Sequence, residues 1–118
     1  MLQQGSPVSG VESSYNEDLT NLIAYVKERS DAKLVWHMTW AYQQDSTHEA
    51  FPNYGSDQMT MYNAIVAAVN SVILPKSDFK KVIPNGTAVC RTFFMQKNNL
   101  NKINPRSKNL LRGTFTLI

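Results

Sequence analysis

The chain has 118 residues, 42% hydrophobic and 18% charged, with five Gly and five Pro. That supports one domain around a single core and excludes collagen-like, low-complexity and disordered classes. The net charge of +3 is uneven: residues 1–89 carry six Lys/Arg against nine Asp/Glu, whereas residues 90–118 carry six Lys/Arg and no acid.

No run of about 18 apolar residues is present, so no membrane span is expected. The first five residues show neither a basic nor an apolar leader segment, so no signal peptide is expected. Cys90 stands alone, which excludes an internal disulfide and paired-cysteine zinc sites. No metal and no cofactor are expected.

Leu2-Gln3-Gln4 enters a turn-rich loop over residues 5–10. Ser14-Tyr15-Asn16-Glu17 spells a capping box, with Leu19, Leu22, Ile23 and Val26 following at helical spacing. This predicts an amphipathic helix over about residues 15–29, its last turn carrying Lys27 and Arg29. The run 34–40, Leu-Val-Trp-His-Met-Thr-Trp, has the near-continuous apolarity of a strand covered on both faces, as in a parallel sheet. Residues 42–56 form a long polar loop. A second helix runs from Ser56-Asp57 to about Leu74, where Pro75 stops it. Val82-Ile83-Pro84 is a short strand ending at a turn, Asn85-Gly86. The alternation of helix and strand specifies the α/β class. Beyond Val89 no sustained period is visible, so residues 1–89 form the structured part and 90–118 a divergent basic tail.

Few residues carry chemistry. The glycines stand apart, so no phosphate-binding fingerprint can be drawn. His37, inside the apolar strand, is expected to be a satisfied core residue. Asp45-Ser46-Thr47-His48 follows the end of a strand, where α/β folds place catalytic groups. There Asp45 would hold the tautomer of His48 as a general base, or else Asp45 and Ser46 cap local backbone. Ser46 lacks the strand-to-helix elbow of a nucleophile. Trp36, Trp40, Tyr42, Phe51 and Tyr54 flank the loop; they either line a sugar cleft or pack helix against sheet. Asn85-Gly86-Thr87 is a glycosylation triplet that more simply marks a turn.

Leu2-Gln3-Gln4, Ser9-Gly10, the motif from Trp36 to Tyr42, Asp45-Ser46-x-His48, Asp57-Gln58-x-x-Met61-Tyr62 and the stretch from Ile83 to Ala88 occur together in this order. Over residues 2–89 the chain resembles the middle part of an uncharacterised bacterial domain-of-unknown-function family within the SGNH (GDSL-like) hydrolase superfamily. The resemblance implies a partial flavodoxin-like three-layer α/β/α fold with parallel strands. It also implies a serine esterase or deacetylase acting on acylated carbohydrates. Longer relatives are implied to be exported, and this chain's own location stays open.

The resemblance places Gln4-Gly5 near an oxyanion hole, with the Gln4 amide or the Gly5 N–H as donors. Trp40 and Tyr42 are the accompanying substrate-binding candidates, and Asp45 and His48 the catalytic ones. The superfamily's Gly-rich serine block has no counterpart in these residues, and its Asp-x-x-His follows the last strand, unlike Asp45–His48. The stretch after Ala88 also departs from the family, as a frameshifted end would, which accounts for the basic charge without nucleic acid. The expectation is a chain inactive by itself, its partner in the full-length family a small-molecule or carbohydrate ester. The alternative is a non-catalytic α/β module binding carbohydrate through the aromatic loop 36–54. As part of a larger sheet, the strand would expose Leu34, Trp36 and Met38 as an aggregation-prone edge.

Overall fold

The structure, a computed structural model, describes residues 1–102. Its helices are α1 (Glu17–Arg29), α2 (Gln58–Ala68) and α3 (Asn85–Lys102), and its strands β1 (Leu34–His37) and β2 (Phe79–Ile83). The α/β class and the parallel pairing both hold: β1 and β2 are parallel, with Trp36 opposite Val82 and His37 opposite Ile83. Leu2 adds a third parallel contact on the far side of β1, bridging to Trp36. The Leu2 N–H donates to the Val35 carbonyl at 3.0 Å, and the His37 N–H to the Leu2 carbonyl at 2.8 Å. β1 is therefore central, and residues 38–40 lie just beyond its carboxyl end. Pairing continues past the regular strand, because the Met38 N–H still reaches the Ile83 carbonyl at 3.0 Å.

Trp36 is 2% exposed, Met38 4% and Leu34 5%. The expected apolar edge does not exist. Trp36 meets Tyr15 at a ring distance of 5.7 Å and the Phe79 ring at 5.5 Å. Those two rings, from the segment before α1 and from β2, cover Trp36.

α1 starts two residues later than its capping box places it. Asn16 is the N-cap and accepts from the Asp18 N–H at 3.0 Å, whereas the Ser14 hydroxyl donates to the Val11 carbonyl at 2.6 Å. Residues 12–14 are already wound into a 3₁₀ turn, and the Ser14 hydroxyl also meets the Val8 carbonyl and the Gln4 amide instead of capping α1. Lys27, in the last turn of α1, forms an ion pair with Asp78 ahead of β2. This pair holds the Asp78 carboxyl below its ordinary value, chiefly through the hydrogen bond from Lys27.

α2 is the apolar centre. Met61, Ile65 and Ala68 lie on its buried face, with Val69 and Ile73 continuing it. Each large side chain buried this fully contributes about 1.5–3 kcal/mol. Asp57 caps the helix, accepting from the Thr60 N–H at 2.7 Å. After Ala68 the helix loosens into a π turn over Val69–Ile73, with the Leu74 N–H bonding back to Val69. Pro75 then ends it.

α3 departs from the sequence expectation, in which Asn85-Gly86 closed a strand and no helix followed. Pro84 precedes the helix, and its carbonyl accepts from both Thr87 and Ala88. Gly86 and Cys90 are buried on one side of α3. There Thr87 accepts from the Tyr62 hydroxyl at 3.1 Å, and the Cys90 thiol meets the Met59 sulfur at 3.9 Å. Packing on α2 supplies stability that this helix, with its short apolar face, would not have alone. α3 runs across the 89/90 boundary drawn from composition; residues 103–118 of the expected tail lie outside the described residues.

Candidate functional site

Three chain segments leave the sheet at one end. Gln4-Gly5-Ser6 follows the Leu2 contact, Thr39-Trp40 follows β1, and Asn85-Gly86 follows β2. Open α/β sheets bind ligands at this carboxyl edge. Two cross-contacts knit the ends together. Ser6 and Thr39 hydroxyls stand 3.4 Å apart, and the Gly86 N–H donates to the Met38 carbonyl at 3.0 Å. The approach at Gly86 is so close that a Cβ there would lie 2.1 Å from the Thr39 carbonyl oxygen. Only glycine fits.

His37 occupies the same end. It is 8% exposed, and its Nε2 lies 2.6 Å from the Asn85 side-chain nitrogen. With Asn85 donating, the imidazole carries its proton on Nδ1, and that buried atom has no partner. The core histidine expected from the sequence is thus satisfied on one nitrogen only. Its ring meets Trp40 edge-to-face at 6.3 Å and 88°. Asn85 belongs to the strand-end cluster rather than to a free glycosylation loop.

The Gln4-Gly5 donors are both engaged internally. The Gln4 amide nitrogen donates to the Ser14 carbonyl and hydroxyl, each at 3.0 Å, and the Gly5 N–H donates to Gln4 Oε1 at 2.9 Å. This closed ring of bonds fixes the turn after Leu2. Beside it, between the first residues and α1, lies a cavity of about 200 Å³ bordered by Leu2, Gln4, Asp18 and Trp36.

Asp45 and His48 sit in the long loop, and no hydrogen bond joins them among the described residues. His48 Nδ1 accepts from the Ala50 N–H at 3.1 Å, so it has no proton to give Asp45. Its ring stacks on Tyr42 at 4.4 Å, and its Nε2 lies 3.4 Å from the Tyr42 hydroxyl. Burial raises the Tyr42 phenol above its ordinary value, with smaller contributions from Tyr54 and Glu49. The Ser46 hydroxyl accepts from the His48 N–H at 3.2 Å, a local turn contact. Gln44 clamps the loop, donating to the Ser56 carbonyl and accepting from the Gln58 N–H. Of the five loop aromatics, Trp36, Phe51 and Tyr54 are buried and Tyr42 partly so; Trp40, at 45% exposed, faces solvent.

A family profile described as Domain of unknown function (DUF4886) matches residues 1–116. The chain belongs to the DUF4886 family. It is similar to the crystal structure of a DUF4886 family protein from Bacteroides uniformis, at 43% identity and a TM-score of 0.67, over 74% of this chain and 34% of that one. This chain therefore spans about a third of that relative's length. No curated protein matches. The DUF4886 match extends past residue 89 into the basic stretch, as α3 does.

Sequence reasoning missed three features of this DUF4886 chain: the His37–Asn85 pair, the Ser6–Thr39 contact and the seat of Gly86. The first two join residues 48 and 33 positions apart, so no local pattern carries them. A usable signal for α3 did exist. Pro84 precedes it, and Gly86, Val89, Cys90 and Phe93 recur at helical spacing.

Proposed function

We propose that this DUF4886 chain forms the substrate-facing shelf of an SGNH-like serine esterase or deacetylase acting on acylated carbohydrates. In this reading its parallel segments belong to the central sheet of a flavodoxin-like three-layer α/β/α fold. One observation carries the proposal: Gln4-Gly5-Ser6, Thr39-Trp40 and Asn85 converge at the carboxyl ends of three parallel segments. The shelf offers hydroxyls, amides and one open indole, suited to a neutral polyhydroxylated substrate. Gln4-Gly5 borders the oxyanion position, and its donors would need to exchange their internal bonds for the developing charge. Trp40 and Tyr42 lie on the substrate side; Asp45 and His48 belong to the rim loop.

These 118 residues hold no Gly-rich serine block, so the chain alone is expected to leave p-nitrophenyl acetate unhydrolysed. The longer Bacteroides uniformis relative is expected to release acetate from p-nitrophenyl acetate or acetylated xylan. A relative inert towards every acyl ester offered would overturn the esterase reading. Turnover by this chain that vanishes in Ser46→Ala or His48→Ala would overturn its assignment as a shelf without a nucleophile. A second reading, a non-catalytic carbohydrate-binding module using residues 36–54, draws on the exposure of Trp40.

A further inference from the structure

The run from Trp36 to Ala41 is buried except at Trp40, which is 45% exposed between Thr39 at 6% and Ala41 at 4%. A large aromatic left open inside an otherwise buried run calls for a reason. Its neighbour supplies one. His37 packs edge-to-face on Trp40 and is tied through Nε2 to Asn85. The unpartnered Nδ1 makes this pair costly, because a buried donor left unsatisfied costs more than a hydrogen bond returns.

We infer that Trp40, His37 and Asn85 form a sugar-stacking subsite, with Trp40 as the platform and His37 as a positioning residue for the Asn85 amide. The inference rests on the reading above for the class of substrate. Once Asn85 has given one amide hydrogen to His37, it keeps a second N–H and Oδ1. That donor and acceptor suit two neighbouring hydroxyls of one sugar ring. The apolar C–H face of a pyranose matches the open indole. No ionised side chain stands among residues 4–6, 38–40 and 84–86, which favours a neutral ligand over a phosphorylated one. The α3 N-terminus offers nothing to an anion either, since the Gly86, Thr87 and Ala88 amides are bonded to Met38 and Pro84.

The test is a calorimetric titration of the 118-residue chain and its variants with cello- and xylo-oligosaccharides, with tryptophan fluorescence followed in parallel for the chains that retain Trp40. Trp36 is buried, so the change reports Trp40. Binding is expected, and Trp40→Ala should weaken it about tenfold, the upper range for an aromatic contact. His37→Ala should weaken it as well, whereas His37→Gln, which can still accept from Asn85, should restore most of the affinity. Tyr62→Phe controls for stability: it loses a hydrogen bond at the α2–α3 seam and should leave affinity unchanged. Ring-nitrogen NMR should find His37 protonated on Nδ1, a signature that a purely space-filling role would not require. Absence of binding to either oligosaccharide, an unchanged affinity in Trp40→Ala, or a His37 proton on Nε2 would overturn the inference. These measurements read binding alone, so failure of ester turnover in the longer relative would leave them standing.

Discussion

Gly86 shows how one missing carbon positions a site. Its amide bonds to Met38 while its Cα faces the Thr39 carbonyl, so β1 and the start of α3 meet backbone to backbone. Backbone cannot yield as a side-chain tip can. Gly86→Ala is therefore expected to cost about 1–3 kcal/mol, as overpacking does, and to part Asn85 from His37. Gly5 has no atom within 4 Å of its virtual Cβ and an ordinary backbone at φ −62°. Gly5→Ala should be close to neutral. Urea denaturation of the two variants checks the contrast, and equal losses would mean that the seat of Gly86 is not the cause.

At the level of elements, α2 shows two sources of order. Its start is chemical: both the Thr60 N–H and the Thr60 hydroxyl donate to Asp57 at 2.7 Å. Asp57→Ala should cost about 1 kcal/mol, the usual value of such a cap, with Asp57→Asn largely retaining it; chemical denaturation distinguishes them. Its end is set by packing. The π turn at Val69–Ile73 carries the buried face on to Ile73, which is fully buried. The apolar stripe from Met61 to Ile73 was legible in the sequence, but the change of winding was not. It depends on where the rest of the core lies. The same holds for α3, whose first turns owe their stability to α2.

Across the molecule, two phenols tie the N-terminal loop to the core. The Tyr15 hydroxyl donates to the Ser9 carbonyl at 2.7 Å, and the Tyr54 hydroxyl donates to Pro7 while accepting from the Gly10 N–H. Burial pushes the Tyr15 phenol up to about 12, with a further rise from Tyr54. The folded state thus holds this proton more tightly than the unfolded chain, whose phenols ionise near 10. Its contribution to stability is fully present below about pH 10 and is lost as pH rises towards 12. Circular dichroism and tyrosinate absorbance followed together against pH should show unfolding over that window. In Tyr15→Phe the alkaline loss should be smaller, at the cost of lower stability at neutral pH. Equal alkaline transitions in the two proteins would place the cause elsewhere.

The amino-acid sequence by itself determined the α/β class, helices α1 and α2 to within a few residues, and the strand at 34–37, because each is written in a local pattern of apolar side chains; it missed α3, the longest helix. It also separated the polar loop from the core run around Trp36. The tertiary structure alone decided which tryptophan is open, that His37 pairs with Asn85, and that the two Gln4-Gly5 donors close on themselves. It also decided that Leu34, Trp36 and Met38 are covered. The physical reason is common to all of these. Each depends on which atoms the folded backbone brings together, across 48 positions for His37 and Asn85 and ten for Gln4 and Ser14, and neither composition nor periodicity records that.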